Sequence, residues 1–445
     1  MKTLTYLSLS LVTAGLLLSG CGSSSSDDLS TTTSVVATSG QLVDNYVANV
    51  DYTCSDGTQG VTDENGTFNC SSLPVEFHLG GLKLGQINTL PRDKQVFPQD
   101  LVGVPRIDVN NTAVRKMAQF LQSCDDDNNT RNGILIKAHI KTAFADKHET
   151  FDPNDVDVYA TDANITLISE DDALTHLEET TTFVEHVNEH GNNKDDVTQQ
   201  GGGIPQKILD ALLTPAVALT QETKNTLAYM GNEERLAYDV YTVLYNYQKD
   251  QGVELKQLTN IANNSETTHI ATVQLLVEKY IKDISEFTNV DNNTTNFDMS
   301  YLDFNASTLP TGVYNIDAIA SLYNTLITKG QSSAQDALEV GCMVEVTDIN
   351  DLDRDIAIAQ ESNATDIVTA FEFLRDGSYS HYWAFDKGLK NMGVTDGCCV
   401  LGDPYCHPEY PQNENSHSDT GGQQGGNGQG NGDGTGAGHQ YGKNR

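Results

Sequence analysis

The chain has 445 residues, 62 of them acidic against 26 basic, and a formal net charge of −36 at pH 7. Such a charge repels phosphate backbones and argues against a nucleic-acid partner; it suits a protein kept soluble in a crowded or saline exterior, with cation attraction as the sharper alternative. The length exceeds what one core organises and calls for two or three domains.

Met1 and Lys2 precede an apolar run to Leu18, which Ser19-Gly20-Cys21 and a Gly-Ser-Asp stretch follow. A charged start, a short apolar core and small residues before a cleavage point make a secretory signal. The core falls short of the ~20 residues that span a bilayer. The segment resembles a bacterial lipoprotein signal with its lipobox. That resemblance implies a signal peptide at 1–20, a lipid on the Cys21 thiol that attaches the chain to the membrane, and, because Gly22 follows, the outer membrane of the cell envelope. Residues 21–38, rich in Ser, Thr and Asp, read as a flexible tether.

Residues 39–187 read as a β-rich N-terminal module with a helical extension. Short β-prone runs (Leu42-Val43, Tyr46-Val47-Ala48, Val50 to Thr53, Thr67 to Asn69, Val75 to Leu79) alternate with turns such as Ser55-Asp56-Gly57 and Asp63-Glu64-Asn65-Gly66. A small β-sandwich is expected. The runs Asp63 to Phe68 and Phe77 to Gly85 resemble the carboxypeptidase-regulatory-like or prealbumin-like modules of bacterial surface lipoproteins. Cys54 and Cys70 flank a strand-turn-strand pattern and are expected to pair, since an exported compartment permits disulfides. Cys124, Cys342, Cys398, Cys399 and Cys406 complete an odd set of seven besides Cys21, which leaves a free thiol or an intermolecular bond.

A helix is expected from Ala113 to Ser123. Beyond it Asp125, Asp127 and Asn129 alternate as the hard oxygens of a calcium loop do, but the Gly comes late and no closing Glu follows, so a solvated acidic turn is the simpler reading. Asp172 to Glu179 reads as a closing helix. The polar stretch 188–203 marks a linker.

Residues 204–395 carry a helical hydrophobic period. Leu227, Met230, Glu234, Ala237, Tyr241 and Leu244 share one face of a long helix. Glu234 thus sits inside an apolar stripe, where a carboxylate must be protonated, paired or metal-bound; Glu233 points toward the rim and is expected to be solvated. On a second helix Ile261, Ser265, His269, Thr272 and Leu276 form a stripe with Glu266 at its edge. A third begins after Gly330 with the capping signal Ser333-x-x-Asp336 and brings Glu345 and Asp348, one turn apart, to the same side, where Gly341 leaves space beside an ion. A fourth, from about Asp366 to Leu389, sets His381 among Phe371, Leu374, Trp383 and Phe385. From Glu234 to Glu266 the step is 32 residues and from Glu345 to Ser378 it is 33, so Glu234 with Glu266-x-x-His269 and Glu345 with Ser378-x-x-His381 read as a duplicated hairpin. One Glu per hairpin, plus a Glu and a His three residues apart on its partner, is the layout of a dinuclear metal site in a four-helix bundle.

The stretches Glu234 to Tyr241, Ser265 to His269, Glu345 and Ser378 to His381 resemble the prokaryotic ferritin-like family catalogued as domain of unknown function 2202, and more distantly rubrerythrin-type di-iron helices. The fold class expected is therefore multidomain, a β-sandwich-like or α+β module followed by an all-α ferritin-like four-helix bundle. The resemblance implies iron or manganese held by Glu234, Glu266, His269, Glu345, Asp348 and His381, with Glu266 or Glu345 bridging, dioxygen or peroxide as co-substrate, and Tyr241 as an accessory to hydrogen bonding or electron relay. It also leaves a homodimer open. Ser378 departs from the pattern, since a di-iron protein carries Glu there. Asp348 or Asp376 is available to compensate; the alternatives are a mononuclear site or a relic bundle. No Cys-x-x-Cys iron site is present, so the electron donor lies outside the chain and is not identified by it. The Cys-containing extension 396–411 is expected to pin the chain end to the bundle by a disulfide, and the Gly/Asn-rich tail 412–445 to be disordered. A different class of function, a non-catalytic surface lipoprotein with the bundle as scaffold and the β module as binder, requires no convergence of the five inward acids and histidines Glu234, Glu266, His269, Glu345 and His381; the metal reading requires it.

Overall fold

The computed structural model describes residues 38–191, 203–290 and 310–412. The expected signal peptide, Cys21, nearly all of the tether, most of the 188–203 linker and the tail beyond 412 lie outside the described residues.

The N-terminal module is strand-rich, as expected. Strands β1 (Thr38–Leu42), β2 (Val47–Ala48), β3 (Asp51–Cys54), β4 (Gln59–Val61), β5 (Thr67–Cys70), β6 (Val75–Leu79), β7 (Leu82–Ile87), β8 (Gln95–Val96), β9 (Ile134–Leu135) and β10 (Glu149–Thr150) form sheets ordered β5-β1-β8, β10-β7-β6-β3-β4 and β2-β9. The period-2 pattern of β6 buries Val75, Phe77 and Leu79 and leaves Glu76 and His78 at the surface. The hairpin signal at Asp63 acts through its side chain, which accepts hydrogen bonds from the N–H groups of Asn65 (3.0 Å) and Thr67 (2.8 Å). Gly66 closes that turn at φ +68°, where a Cβ would stand 2.4 Å from the Leu42 carbonyl oxygen. Cys54 and Cys70 are bridged, as their spacing suggested.

Helices α1 (Pro98–Val102), α2 (Thr112–Ser123), α3 (Ala138–Ala143), α4 (Val156–Ala163) and α5 (Glu170–Glu189) extend the module. The side chains of Asn111 and Ser169 cap α2 and α5. Leu177, Val184 and Val187 of α5, with Val43, Tyr46 and Phe97, join the same hydrophobic cluster as the helical domain that follows.

That domain is all-α: α6 (Gln206–Leu212), α7 (Gln221–Asp250), α8 (Lys256–Ile261), α9 (Thr267–Tyr280), α10 (Asp317–Gly330), α11 (Ala334–Glu361) and α12 (Thr365–Asn391). Four elements make the bundle: α7, the α8–α9 rod, α11 and α12. Thr220 caps α7 and Ser333 caps α11, each accepting from the backbone N–H of the third helical residue (3.1 and 3.0 Å). A π turn, Ala262–Glu266, joins α8 to α9. The sequence reading has no element at 317–330, yet α10 packs against both α7 and α11; Ile319, Leu322, Tyr323, Leu326 and Ile327 recur at helical spacing and carried the signal. No helix among the described residues is long and apolar enough to cross a membrane.

The expected pinning of the chain end takes a definite form. Cys342 on α11 bonds Cys398, and Cys399 bonds Cys406, while among the described residues Cys124 is the free, buried thiol. Closing a loop over a separation of 56 residues restricts the unfolded chain, so a Cys342→Ser/Cys398→Ser variant is expected to lose about 4 kcal/mol of stability in denaturant titration. A loss below about 1 kcal/mol would mean that α11 and the extension are held by packing alone.

Candidate metal centre

Each bundle element delivers one part of a buried polar centre. Glu234 stands on α7, Glu266 at the end of the π turn, His269 on α9, Glu345 and Asp348 on α11, and Ser378 and His381 on α12. All seven side chains are buried; Glu234, Glu266 and Glu345 are each 2% exposed. Charges this far from water persist only when paired or ligated.

The side chains form two triads with Glu266 in common: Glu234, Glu266 and His269, and Glu266, Glu345 and His381, each set offering ligand atoms within 4.8 Å of one another. His269 Nδ1 lies 3.1 Å from Glu234 Oε2 and 3.6 Å from Glu266 Oε2. His381 Nδ1 lies 3.2 Å from Glu266 Oε1 and 3.3 Å from Glu345 Oε2. The two imidazoles stand 5.6 Å apart between centroids. Of the two candidates for a bridging carboxylate, Glu266 is therefore the one that divides its oxygens between the histidines. Each of the two sets matched in the sequence thus brings a lone Glu and a His to the centre, but only the first adds a Glu beside its His.

The far side of each ring is also organised. Ser265 Oγ sits 2.8 Å from His381 Nε2 and 3.5 Å from His269 Nε2. One hydroxyl oxygen thus meets both Nε2 atoms, which leaves both Nδ1 atoms turned to the carboxylates, the arrangement that fixes tautomer and ring angle in ligating histidines. The sequence reading placed Ser265 in the stripe without giving it a role. Gly377 has a related one: a Cβ there would stand 2.5 Å from His269 Nε2, so α12 can approach the imidazole only with glycine at that position. Gly341, by contrast, does not leave room beside an ion as expected, because the Phe385 ring fills its space, 2.5 Å from where a Cβ would be. Tyr241, fully buried, donates a short hydrogen bond to Glu345 Oε1.

Electrostatically the centre is overfilled with acid. Burial first, then the neighbouring charges of Glu234 and Glu345, push the Glu266 pKa well above the usual carboxylate range, and Asp348 is raised in the same way. For His269 burial opposes the cation, but Glu234 and Glu266 outweigh it and raise its pKa. Tyr241 is raised by burial and by Glu345. Several polar atoms here are sealed from solvent without a hydrogen-bond partner: Glu234 Oε1, Asp348 Oδ1 and His381 Nδ1. Buried polar atoms seldom remain unpaired without a reason, and a cation among these oxygens and Nδ1 atoms would satisfy all three.

Glu233 corrects the expectation of a solvated rim acid. It is 2% exposed, and burial with the charges of Asp348 and Asp351 drives its pKa well up. Leu322 and Leu326 of α10 line, with Glu233, with Met343, Val344 and Thr347 of α11 and with Tyr405, a cavity of about 30 Å³. Asp376, one of the two acids considered as substitutes for the missing Glu, is exposed.

In the acidic loop Asp125 accepts from the N–H groups of Leu135 and Asn129, both at 2.9 Å, and Asp127 accepts from Asn129 N–H (2.8 Å) and from the Asn132 amide (2.9 Å). Asn129 enters with its N–H rather than its side-chain oxygen. The proximity of Asp125, Asp126 and Asp127 is that of a turn closed on its own backbone.

A helical bundle whose facing elements converge two carboxylate–histidine triads on one shared glutamate defines a class: all-α domains with a buried, preassembled acidic centre. The chain belongs to the family described as an uncharacterized protein domain (DUF2202), whose model matches residues 223–306 and 285–401. It is 35% identical over 179 residues to the uncharacterized protein MJ0754 of Methanocaldococcus jannaschii, covering 40% of this chain and 81% of that protein. A crystal structure of hypothetical protein MJ0754 from Methanococcus jannaschii matches at 34% identity over 40% of this chain and 86% of that one, with a TM-score of 0.32.

The Ser265 contact makes a checkable statement. If the centre takes up a metal ion, Ser265→Ala should weaken that binding about tenfold, as loss of a partner behind a ligating histidine does. Unchanged affinity in a manganese titration would show that the hydroxyl does not orient the rings.

Proposed function

We propose that the helical domain is a ferritin-like bundle that holds two iron or manganese ions at Glu234, Glu266, His269, Glu345 and His381, and that it serves as an oxidase, peroxidase or metal-handling protein at the cell envelope. The observation that carries this reading is the sharing of Glu266 between two triads whose histidines both present Nδ1. The donor set, carboxylate oxygen with imidazole nitrogen and no thiolate, suits iron or manganese rather than a softer ion. Bound there, such a pair would supply electrons to dioxygen or peroxide.

The chain's own residues would do the rest. Glu266 would span the two positions, with Glu234 and Glu345 at the ends. Ser265 would hold both imidazoles as neutral ligands by accepting from Nε2–H. Tyr241 would keep its proton toward Glu345 Oε1 and thereby steady that carboxylate. Phe371, Leu374 and Phe385, all fully buried on α12, would keep bulk water from the centre and so strengthen each electrostatic contact within it.

Export and lipid attachment at Cys21 form the second part of the reading and rest on the amino-terminal residues alone. They predict that Cys21→Ser moves the protein from the membrane fraction to the soluble one. For the chemistry, the test is peroxide consumption by protein reconstituted anaerobically with ferrous iron, beside a His269→Ala/His381→Ala variant. Turnover lost in the variant would support the redox reading. Equal rates in both would sink it, and would favour a scaffold whose β module does the work.

A further inference from the structure

Four-helix dinuclear sites of the kind outlined above bring four carboxylates and two histidines. Four negative charges balance two divalent cations, and in a buried site that balance decides whether the second ion is held. Both histidines are in place here, but the two triads supply only Glu234, Glu266 and Glu345. The fourth acid is missing because α12 carries Ser378 three residues before His381.

Ser378 is 1% exposed. Its Oγ donates to Asp348 Oδ2 at 2.5 Å, with the Leu374 carbonyl a longer alternative at 3.1 Å. Asp348 stands one turn beyond Glu345 on α11, the helix packed along α12, and is 5% exposed. Its other oxygen, Oδ1, is sealed from solvent and has no partner. Asp348 lies within electrostatic reach of Glu234, Glu345 and Glu266, hence of both triads. One carboxylate oxygen is therefore anchored by Ser378, and the other is buried without a partner.

Resting on the dinuclear reading, we infer that Asp348 supplies the fourth carboxylate of the centre from α11, and that Ser378 is its positioning residue. The acid lost from the paired motif of α12 has been moved across the helix interface rather than dispensed with. A serine is short enough to leave room for the aspartate and polar enough to hold it. Glutamate at 378 together with Asp348 would bring five carboxylates to two cations.

The experiment is metal stoichiometry and affinity on the chain from Gly22 onward, titrated anaerobically with ferrous iron and with manganese(II). Asp348→Asn keeps shape and hydrogen bonding but removes the charge, and is expected to bind about one equivalent where the unaltered chain binds about two. Asp348→Ser/Ser378→Glu exchanges the places of carboxylate and hydroxyl, returning the acid to α12 as a glutamate, and is expected to restore the second equivalent. Ser378→Ala should weaken the second ion about tenfold and leave the first unchanged, a selective loss that a purely structural serine would not produce. If Asp348→Asn retains both equivalents at unchanged affinity, or the exchange variant folds and holds only one, the inference is overturned while the dinuclear reading stands. If the unaltered chain binds no metal, both fall together.

Discussion

Replacing Glu266 by glutamine is expected to abolish binding of both metal ions at once, whereas Glu234→Gln or Glu345→Gln should each cost one. Glutamine keeps the volume of the side chain and an oxygen to accept hydrogen bonds, so the variant isolates charge and bridging. Glu266 offers Oε2 toward His269 and Oε1 toward His381; Glu234 and Glu345 each belong to one triad. The asymmetry among three buried glutamates of equal exposure is what gives the test its force. Calorimetric titration with manganese(II) reads it directly. Equal losses from all three variants would mean that the acids form a diffuse negative cavity without a bridge. Metal-free Glu266→Gln should be no less stable than the parent, since a carboxyl already driven toward its neutral form loses little when it becomes an amide.

Metal should also reverse how stability depends on pH. Glu266, Asp348 and Glu233 have folded-state pKa values raised well above their ordinary ones. An acid raised on folding adds stability that is complete below its unfolded pKa, about 4, and is lost as pH climbs through the raised value. The metal-free protein should therefore weaken steadily from about pH 5 to pH 8. Asp44, lifted to about 8 by burial and held by Gln122, adds to that slope from outside the centre. With metal bound, the ligand carboxylates stay ionised and protons become competitors, so stability conferred by the ion should grow with pH over the same interval. At a thousandfold excess over the dissociation constant the gain is about 4 kcal/mol, or upward of about 8 °C in midpoint for a domain of this size. Asp44 and Glu233 contribute to both curves, and the difference between them reports the centre. Parallel curves with and without iron or manganese would contradict a preassembled site.

Much of this centre could be read before any coordinates. Glu234, His269, Glu345 and His381 interrupt apolar stripes at helical spacing, and the near-equal steps within the two hairpins announced a pair of matching half-sites. Ser333 and Asp63 act locally, so their cap and turn were legible too. What escaped depended on contacts between distant segments. Glu233 was assigned to solvent because one position along a helix moves a side chain toward the rim; the unanticipated α10 covers that rim. Glu266, at the edge of its stripe, was legible as a partner of His269, but the π turn Ala262–Glu266 that carries it had no signal in the helical spacing. Gly341 looked like space for an ion but is space for Phe385. The partners of Cys342 and Cys399 had no local signal, since spacing does not determine connectivity. Family membership and the buried acidic centre stand together, and the chemistry proposed for them rests on a charge excess that only cations or protons can relieve.

The most direct test of the central claim is the metal content, by plasma mass spectrometry, of the chain from Gly22 onward purified without a histidine tag, beside a Glu266→Ala/His269→Ala variant. The account predicts about two equivalents of iron or manganese in the unaltered chain and almost none in the variant. No bound metal in either, even after anaerobic reconstitution with ferrous iron, would contradict it and leave the acids and histidines as a buried polar core without an ion.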